Sequence, residues 1–241
     1  MIWLRSALFN LSFYLWTLVV GTGLIPSLVM PARVSIYGQR FWARGVIFLM
    51  RYIAGISYEV RGVENIPHGA SLVAAKHQSA FDTVVFPLMI RYPVMVLKRE
   101  LIYIPFYGWY AMKWGMIPVD RKTGPSALRS MLKAARPVLA QGRPIFIFPE
   151  GTRMAPGAAP DYKPGVAALY RELKVPCVPV ALNSGLYWPR RTIRKNPGRI
   201  IVEFLPAIPP GLSRPDFMAR LQGDIETATT RLVAEGNASQ G

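Results

Sequence analysis

Ser71–Asp82 reads SLVAAKHQSAFD, and how this stretch folds decides how the rest of the chain is read. Only two histidines occur in 241 residues, and one of them, His77, stands five residues before Asp82. On a single regular helix those side chains would lie about 140° apart and could not meet. The alternative is an apolar strand SLVAA that ends before His77, a short loop, and a helix that Ser79 caps and that carries Asp82 in its first turn. That arrangement lets the carboxylate fold back toward the imidazole. It also leaves open a plainer role for Asp82, as the acidic half of an S-x-x-D capping box with Ser79.

The same rhythm continues on both sides. Strand-sized apolar runs, YEVR, SLVAA, VMVL, MIPV, PIFIF, VPCVPVAL and RIIVEFL, alternate with helix-like segments DTVVFPLMIR, PSALRSMLKAARPVLAQG and GVAALYREL. Such alternation predicts an α/β domain over residues 59–241, with a central mixed sheet of about seven strands flanked by helices. Ligands of these sheets bind beyond the carboxyl ends of the strands. HQSAFD, Asp120-Arg121 and PEGTR (Pro149–Arg153) each follow such a run. Farther on, Phe217, Leu221 and Ile225 recur at helical spacing, so Ser213–Glu235 is expected to pack as a helix.

Charge and hydropathy narrow the partners. Lys and Arg number 29 against 13 Asp and Glu, a formal net charge of +16, and 51% of residues are hydrophobic. A basic, apolar chain suits an anionic membrane surface, an acidic carrier protein or phosphorylated substrates. Nucleic acid fits poorly, because the basic residues are scattered and no binding signature appears. Cys177 is alone in VPCVPVAL, which excludes an internal disulfide and suggests a small buried hydrophobe. One Cys with His68 and His77 far apart provides no metal-ligand cluster.

Before Glu59 the charged residues are all arginines: Arg5, Arg33, Arg40, Arg44 and Arg51. Ser6–Met30 carries no charge and is long enough to cross a bilayer, though Gly21-Thr22-Gly23 and Pro26 interrupt it. A second apolar run, Gly45–Tyr58, contains Arg51. Residues 1–58 are therefore expected to be a hydrophobic helical membrane segment. It either crosses once or lies as a hairpin in one leaflet with its arginines at the headgroups. No small-residue cleavage site supports a removed signal peptide.

The polar clusters carry the chemistry. His77 would act as a general base at cellular pH, with Asp82 fixing its tautomer. Ser79 is a poor candidate nucleophile, since it lacks a G-x-S-x-G elbow. In IFIFPEGTR (Ile145–Arg153) a strand runs into a tight turn where Gly151 admits a ligand close to the backbone and Arg153 can clamp a phosphate. An ordinary turn salt bridge would use the same residues. Lys98-Arg99 and Asp120-Arg121 add charges at expected strand ends.

HQSAFD, KRELIYIPFYGWYAMKWGMIPVDR, FPEGTR and VPCVPVAL, in that order across Ile66 to Ala181, resemble the glycerolipid acyltransferase family, specifically 1-acyl-glycerol-3-phosphate acyltransferases. By that resemblance His77 is the catalytic base and Asp82 its partner. Lys98, Arg121, Glu150, Gly151, Thr152 and Arg153 would hold the acyl acceptor and its phosphate. The resemblance implies acyl transfer to the sn-2 hydroxyl of lysophosphatidic acid, from acyl-CoA or acyl carrier protein, giving phosphatidic acid. It implies no metal or cofactor. The absence of disulfides, together with donors made in the cytosol, is expected to put the site on the cytoplasmic face of the membrane. Same-fold enzymes acting on glycerol-3-phosphate or a lyso-aminolipid are the nearest alternatives, ahead of a membrane thioesterase or a lipid-binding protein. Two positions depart from the family pattern: Lys76 stands where Asn often precedes the His, and Pro118 stands where a bulky apolar residue is common.

Overall fold

The computed structural model describes residues 1–120 and 123–238. All the apolar runs become strands: β1 (Ile56–Arg61), β2 (Leu72–Ala75), β3 (Val94–Lys98), β4 (Ile117–Val119), β5 (Ile145–Ile147), β6 (Cys177–Leu182) and β7 (Gly198–Phe204). They form one seven-stranded sheet in the order β1-β7-β6-β2-β5-β3-β4. The single antiparallel pairing is β6 with β7, so the expected mixed sheet is observed. Because β2 through β6 run the same way, their carboxyl ends share one edge.

Each face of the sheet has its own helical layer. Along β2, Val73 and Ala75 face one layer while Leu72 and Ala74 face the other, and all four are completely buried. Burial on both faces is what makes a parallel strand read as a continuous apolar run. The first layer is built from α1 (Ile2–Gly23), α2 (Ala32–Leu49) and α3 (Phe81–Met89), with Phe9, Val46, Met50, Val84 and Phe86 in its core. The second comprises α5 (Pro125–Ala140), α6 (Gly165–Leu173) and α8 (Arg214–Ala238). Phe217, Leu221 and Ile225 are fully buried there, as their spacing required. Two short helices complete the chain: α4 (Tyr107–Lys113), between β3 and β4, and α7 (Ser184–Tyr187), after β6.

The first helix is arranged with its polar groups inside. Ser6 is buried, and its hydroxyl accepts the Lys195 N–H at 2.9 Å. Asn10 donates to the Ile193 carbonyl at 2.9 Å. Facing outward are Trp3, Leu4, Leu8, Leu11, Tyr14, Leu15, Leu18 and Val19, all exposed. A soluble amphipathic helix has the opposite polarity, and so large an apolar surface marks an interaction face. Within the described residues α1 is the one helix long and apolar enough to cross a membrane.

The chain turns back before α2, however. Pro26 opens a 3-10 turn at Ile25–Leu28, and α2 then packs against α1. Trp16 donates to the Trp42 carbonyl at 3.0 Å, and a Cβ on Gly45 would stand 2.2 Å from the Trp16 ring, so glycine permits this crossing. The second helix differs from the apolar run Gly45–Tyr58. It begins at Ala32, and after a π-helical turn Gly55, at φ +72°, ends it. Glycine is the residue that adopts this left-handed cap without strain, and Ile56 to Tyr58 are thereby released to β1.

Candidate active site

The strand β2 ends at Ala75, and α3 begins at Phe81, leaving Lys76 to Ala80 as the loop that the spacing required. The residue before the helix is Ala80 rather than Ser79, yet the Ser79 hydroxyl still accepts the Phe81 N–H at 3.1 Å. Asp82, in the first helical turn, is completely buried. Its Oδ2 accepts from His77 Nδ1 at 2.9 Å, from the Gln78 N–H at 2.8 Å and from the Ser79 N–H at 2.9 Å. Its Oδ1 accepts from the Ser184 hydroxyl at 2.6 Å. The two readings of Asp82 are therefore both realised: the same carboxylate returns to the Ser79 backbone, as in a capping box, and pairs with the imidazole.

This pairing fixes the histidine chemically. A carboxylate beside Nδ1 holds the proton on that nitrogen and leaves Nε2 with its lone pair. The ring also stacks on Phe148, with centroids 3.8 Å apart and planes 15° apart. The backbone is held as well, because the His77 carbonyl accepts from the Met154 N–H at 2.7 Å. Gln78 accepts from the Gly185 N–H at 3.0 Å. The His77 side chain remains 14% exposed. An imidazole in a tied-down loop just past a strand, oriented through one nitrogen and open through the other, is equipped to take a proton from a bound hydroxyl.

The PEGTR turn follows β5, the neighbour of β2, so it lies beside His77 at the same edge. Glu150 is buried and turned away from the crevice. Its Oε1 accepts from the Lys76 ammonium at 2.8 Å. That ammonium also contacts Glu226 of α8 at 2.7 Å, and Glu226 accepts from the Tyr162 hydroxyl at 2.9 Å. Burial pushes the Glu150 carboxyl up, and the adjacent ammonium opposes it. The unusual Lys76 thus anchors the turn to α8 with two buried charges compensating each other, an arrangement that loses much if one partner is removed. A cavity of about 640 Å³ between α8 and residues 157–160 reaches Lys76 and Gln78 from that side, and His77 is not among its walls.

What the turn presents to the crevice is Gly151 at φ +67°, the exposed Thr152, and Arg153, whose carbonyl accepts from Arg190. Lys98 is the exposed last residue of β3. Asp120 follows β4 and lies 3.7 Å from the Arg99 guanidinium. Arg121 lies outside the described residues. Cys177 is completely buried, and burial raises its thiol far above the usual range, which suits a packing residue.

Four contributors escaped the sequence reading. Ser184, Glu226 and Tyr162 lie 102, 150 and 64 positions from their partners Asp82, Lys76 and Glu226, and tertiary folding alone brings them together. The signal for Ser184 was its place just after a strand, in the polar step Asn183-Ser184. Phe148 looked like the end of an apolar run, and nothing in its spacing marked it as a stacking partner.

The comparisons with known proteins agree with this geometry. The acyltransferase family model matches residues 57–183, which takes in all but the first residue of β1, the His77–Asp82 loop and the PEGTR turn, and stops one residue short of Ser184. The chain is 36% identical to the 1-acyl-sn-glycerol-3-phosphate acyltransferase of Pseudomonas aeruginosa, over 96% of this chain and 91% of that one. It is 29% identical to the human 1-acyl-sn-glycerol-3-phosphate acyltransferase alpha, over 88% and 76% respectively. The crystal structure of the 1-acyl-sn-glycerophosphate acyltransferase PlsC from Thermotoga maritima superposes with a TM-score of 0.78 at 21% identity, covering 96% of this chain and 99% of that one. A shared fold over nearly the whole length, a family model spanning the sheet edge that carries His77 and Glu150, and a relative matched over more than nine-tenths of both chains lead to one conclusion: the chain belongs to the acyltransferase family, among the 1-acyl-sn-glycerol-3-phosphate acyltransferases.

Proposed function

We propose that this protein transfers a fatty acyl group from a thioester to the sn-2 hydroxyl of lysophosphatidic acid, producing phosphatidic acid. The observation that carries the reading is His77, bonded to Asp82 through Nδ1 with Nε2 left for substrate, in a chain whose relatives bear that activity in their names. In the proposed reaction Nε2 takes the proton of the acceptor hydroxyl as its oxygen attacks the thioester carbonyl. Asp82 stabilises the imidazolium that forms. The tetrahedral intermediate then breaks its C–S bond, and the leaving thiolate recovers the proton from His77. The steps balance with phosphatidic acid and a free thiol as products, and no acyl-enzyme forms.

Lys98, Arg121 and Arg153 are the cations we assign to the acceptor phosphate, with Gly151 and Thr152 beside them. Arg forks suit phosphate oxygens, and oriented binding lowers the barrier by holding reactants in attack geometry. Glu150 acts from behind, through Lys76. The donor is a thioester of coenzyme A or of acyl carrier protein, and the +16 charge suits either. We place α1 and α2 as a hairpin in one leaflet, since the polar side of α1 is committed to the Lys195 segment and its apolar side is free for lipid. The active edge then faces the cytoplasm.

Reconstituted protein, labelled acyl-CoA or acyl carrier protein, and lysophosphatidic acid test this directly. Wild type should form phosphatidic acid, and folded His77→Ala should not. Phosphatidic acid made at a near-normal rate by His77→Ala would overturn the mechanism, whereas its absence from wild type with both donors would overturn the acceptor.

A further inference from the structure

We propose that α4 is a second membrane contact, lying in the same lipid interface as the N-terminal hairpin. The inference rests on the reading that α1 and α2 sit in a bilayer, and it adds a surface more than 50 residues beyond them in the chain. The segment from Leu101 to Val119 contains one charged residue, Lys113. Its large side chains do not all turn inward. Tyr103 is 69% exposed, Trp109 50% and Met112 51%, with Ile104 and Tyr107 beside them also exposed. Trp and Tyr mixed with Ile and Met match the composition of a membrane–water interface, where amphipathic rings sit at headgroup depth.

The position of this patch identifies its occupant. The first helical layer holds α4 against the hairpin's turn: the Tyr110 hydroxyl donates to the Gly21 carbonyl at 2.8 Å, and the Trp114 indole N–H donates to the Ser35 hydroxyl at 2.8 Å. Phe106 packs over Gly21, 3.5 Å from where a Cβ would be, and contacts Trp109 edge-on at 5.4 Å. In and just after that turn, which α4 contacts, Ile25, Val29, Met30 and Val34 are exposed, so apolar surface runs from the hairpin to α4. One plane of lipid covers both. At the inner margin of the patch stand Lys98 and Arg99, exposed cations suited to anionic headgroups. A hairpin alone leaves the domain free to roll about the hairpin axis. A contact on α4, which begins just past the carboxyl end of β3, removes that freedom and holds the edge carrying Lys98 toward the lipid.

Cys177 is completely buried, so an engineered surface cysteine can be labelled selectively. The probe is a solvent-sensitive NBD label on Trp109→Cys, on Leu11→Cys of α1 and on Arg129→Cys of α5, in vesicles of phosphatidylcholine and phosphatidylglycerol with and without brominated acyl chains. Brominated lipid should quench the labels at positions 109 and 11 and spare the one at 129. Quenching at 11 without quenching at 109 overturns the inference and leaves the hairpin reading standing. A blue-shifted label at 109 that bromine does not quench also overturns it, because a protein surface would then cover α4. Absence of quenching at both 11 and 109 removes the hairpin reading and this inference together.

Discussion

At the scale of single residues, the site is a problem of holding one carboxylate still. Asp82 accepts four hydrogen bonds, from an imidazole, a hydroxyl and two backbone N–H groups, and it does so inside the protein. With both oxygens engaged it cannot rotate away from His77, so the imidazole is held in one orientation before any substrate arrives. Asp82→Asn keeps the shape but presents an N–H where an acceptor is needed. Its kcat in the acyl-transfer assay should fall about 10²–10⁴-fold, with the KM for either substrate little changed. Ser184→Ala removes one charge-assisted hydrogen bond and should lower kcat by about tenfold. Wild-type rates from folded Asp82→Asn would take the pair out of the chemistry. The His77–Asp82 pairing was legible because both residues sit within one strand–loop–helix unit. Ser184 and the Lys76–Glu150–Glu226 cluster were not, because those contacts join strand ends and a helix that sequence distance hides.

At the scale of elements, the strands were the readable part. Parallel strands buried on both faces announce themselves as apolar runs, and β2, β5 and β6 did so. The edges of the N-terminal helices were harder, since α2 carries Arg33, Arg40 and Arg44 along a helix whose other side meets the core. The docking of α1 onto the domain depends on Lys195, which is buried between Phe9 and Trp188 and donates to the Thr192 and Ile193 carbonyls. Burial lowers its pKa to about 8 from 10.5. A depressed base binds fewer protons folded than unfolded, so its contribution to stability is complete above the unfolded value and is lost as pH falls through the folded one. Wild type should therefore gain on the order of 1–2 kcal/mol from this group between about pH 8 and about pH 9.5, relative to Lys195→Met. Thermal unfolding of both proteins in detergent at the two pH values measures it, and parallel pH trends would contradict it.

At the scale of the whole molecule, the N-terminal helices and the α/β part share a core. Phe9, Val46 and Met50 lie among Val73, Phe86 and Trp188 in one contiguous cluster. Losing a large core side chain costs about 2–5 kcal/mol, against a total stability of about 5–15 kcal/mol for a domain. A chain beginning at Gly55 should accordingly lack a cooperative thermal transition even in detergent, and should expose apolar surface to a dye. A sharp transition near the wild-type temperature would show instead that the sheet folds without its hairpin. Composition made the apolar, helical character of the N-terminal segment legible. That this segment is also a structural layer was not, since no residue in 1–58 announces which strand it will cover.

The contact between Ser6 and Lys195 spans 189 positions, and that separation has a consequence in time. Synthesis at ordinary rates puts roughly 10–40 s between the two residues leaving the ribosome. Throughout that interval the first helix has its greasy side complete, while its polar side lacks the partners that Ile193 and Lys195 will supply. On the leaflet reading proposed above, the hairpin meets lipid before it meets its own domain, and the sheet later closes its core against helices already in place.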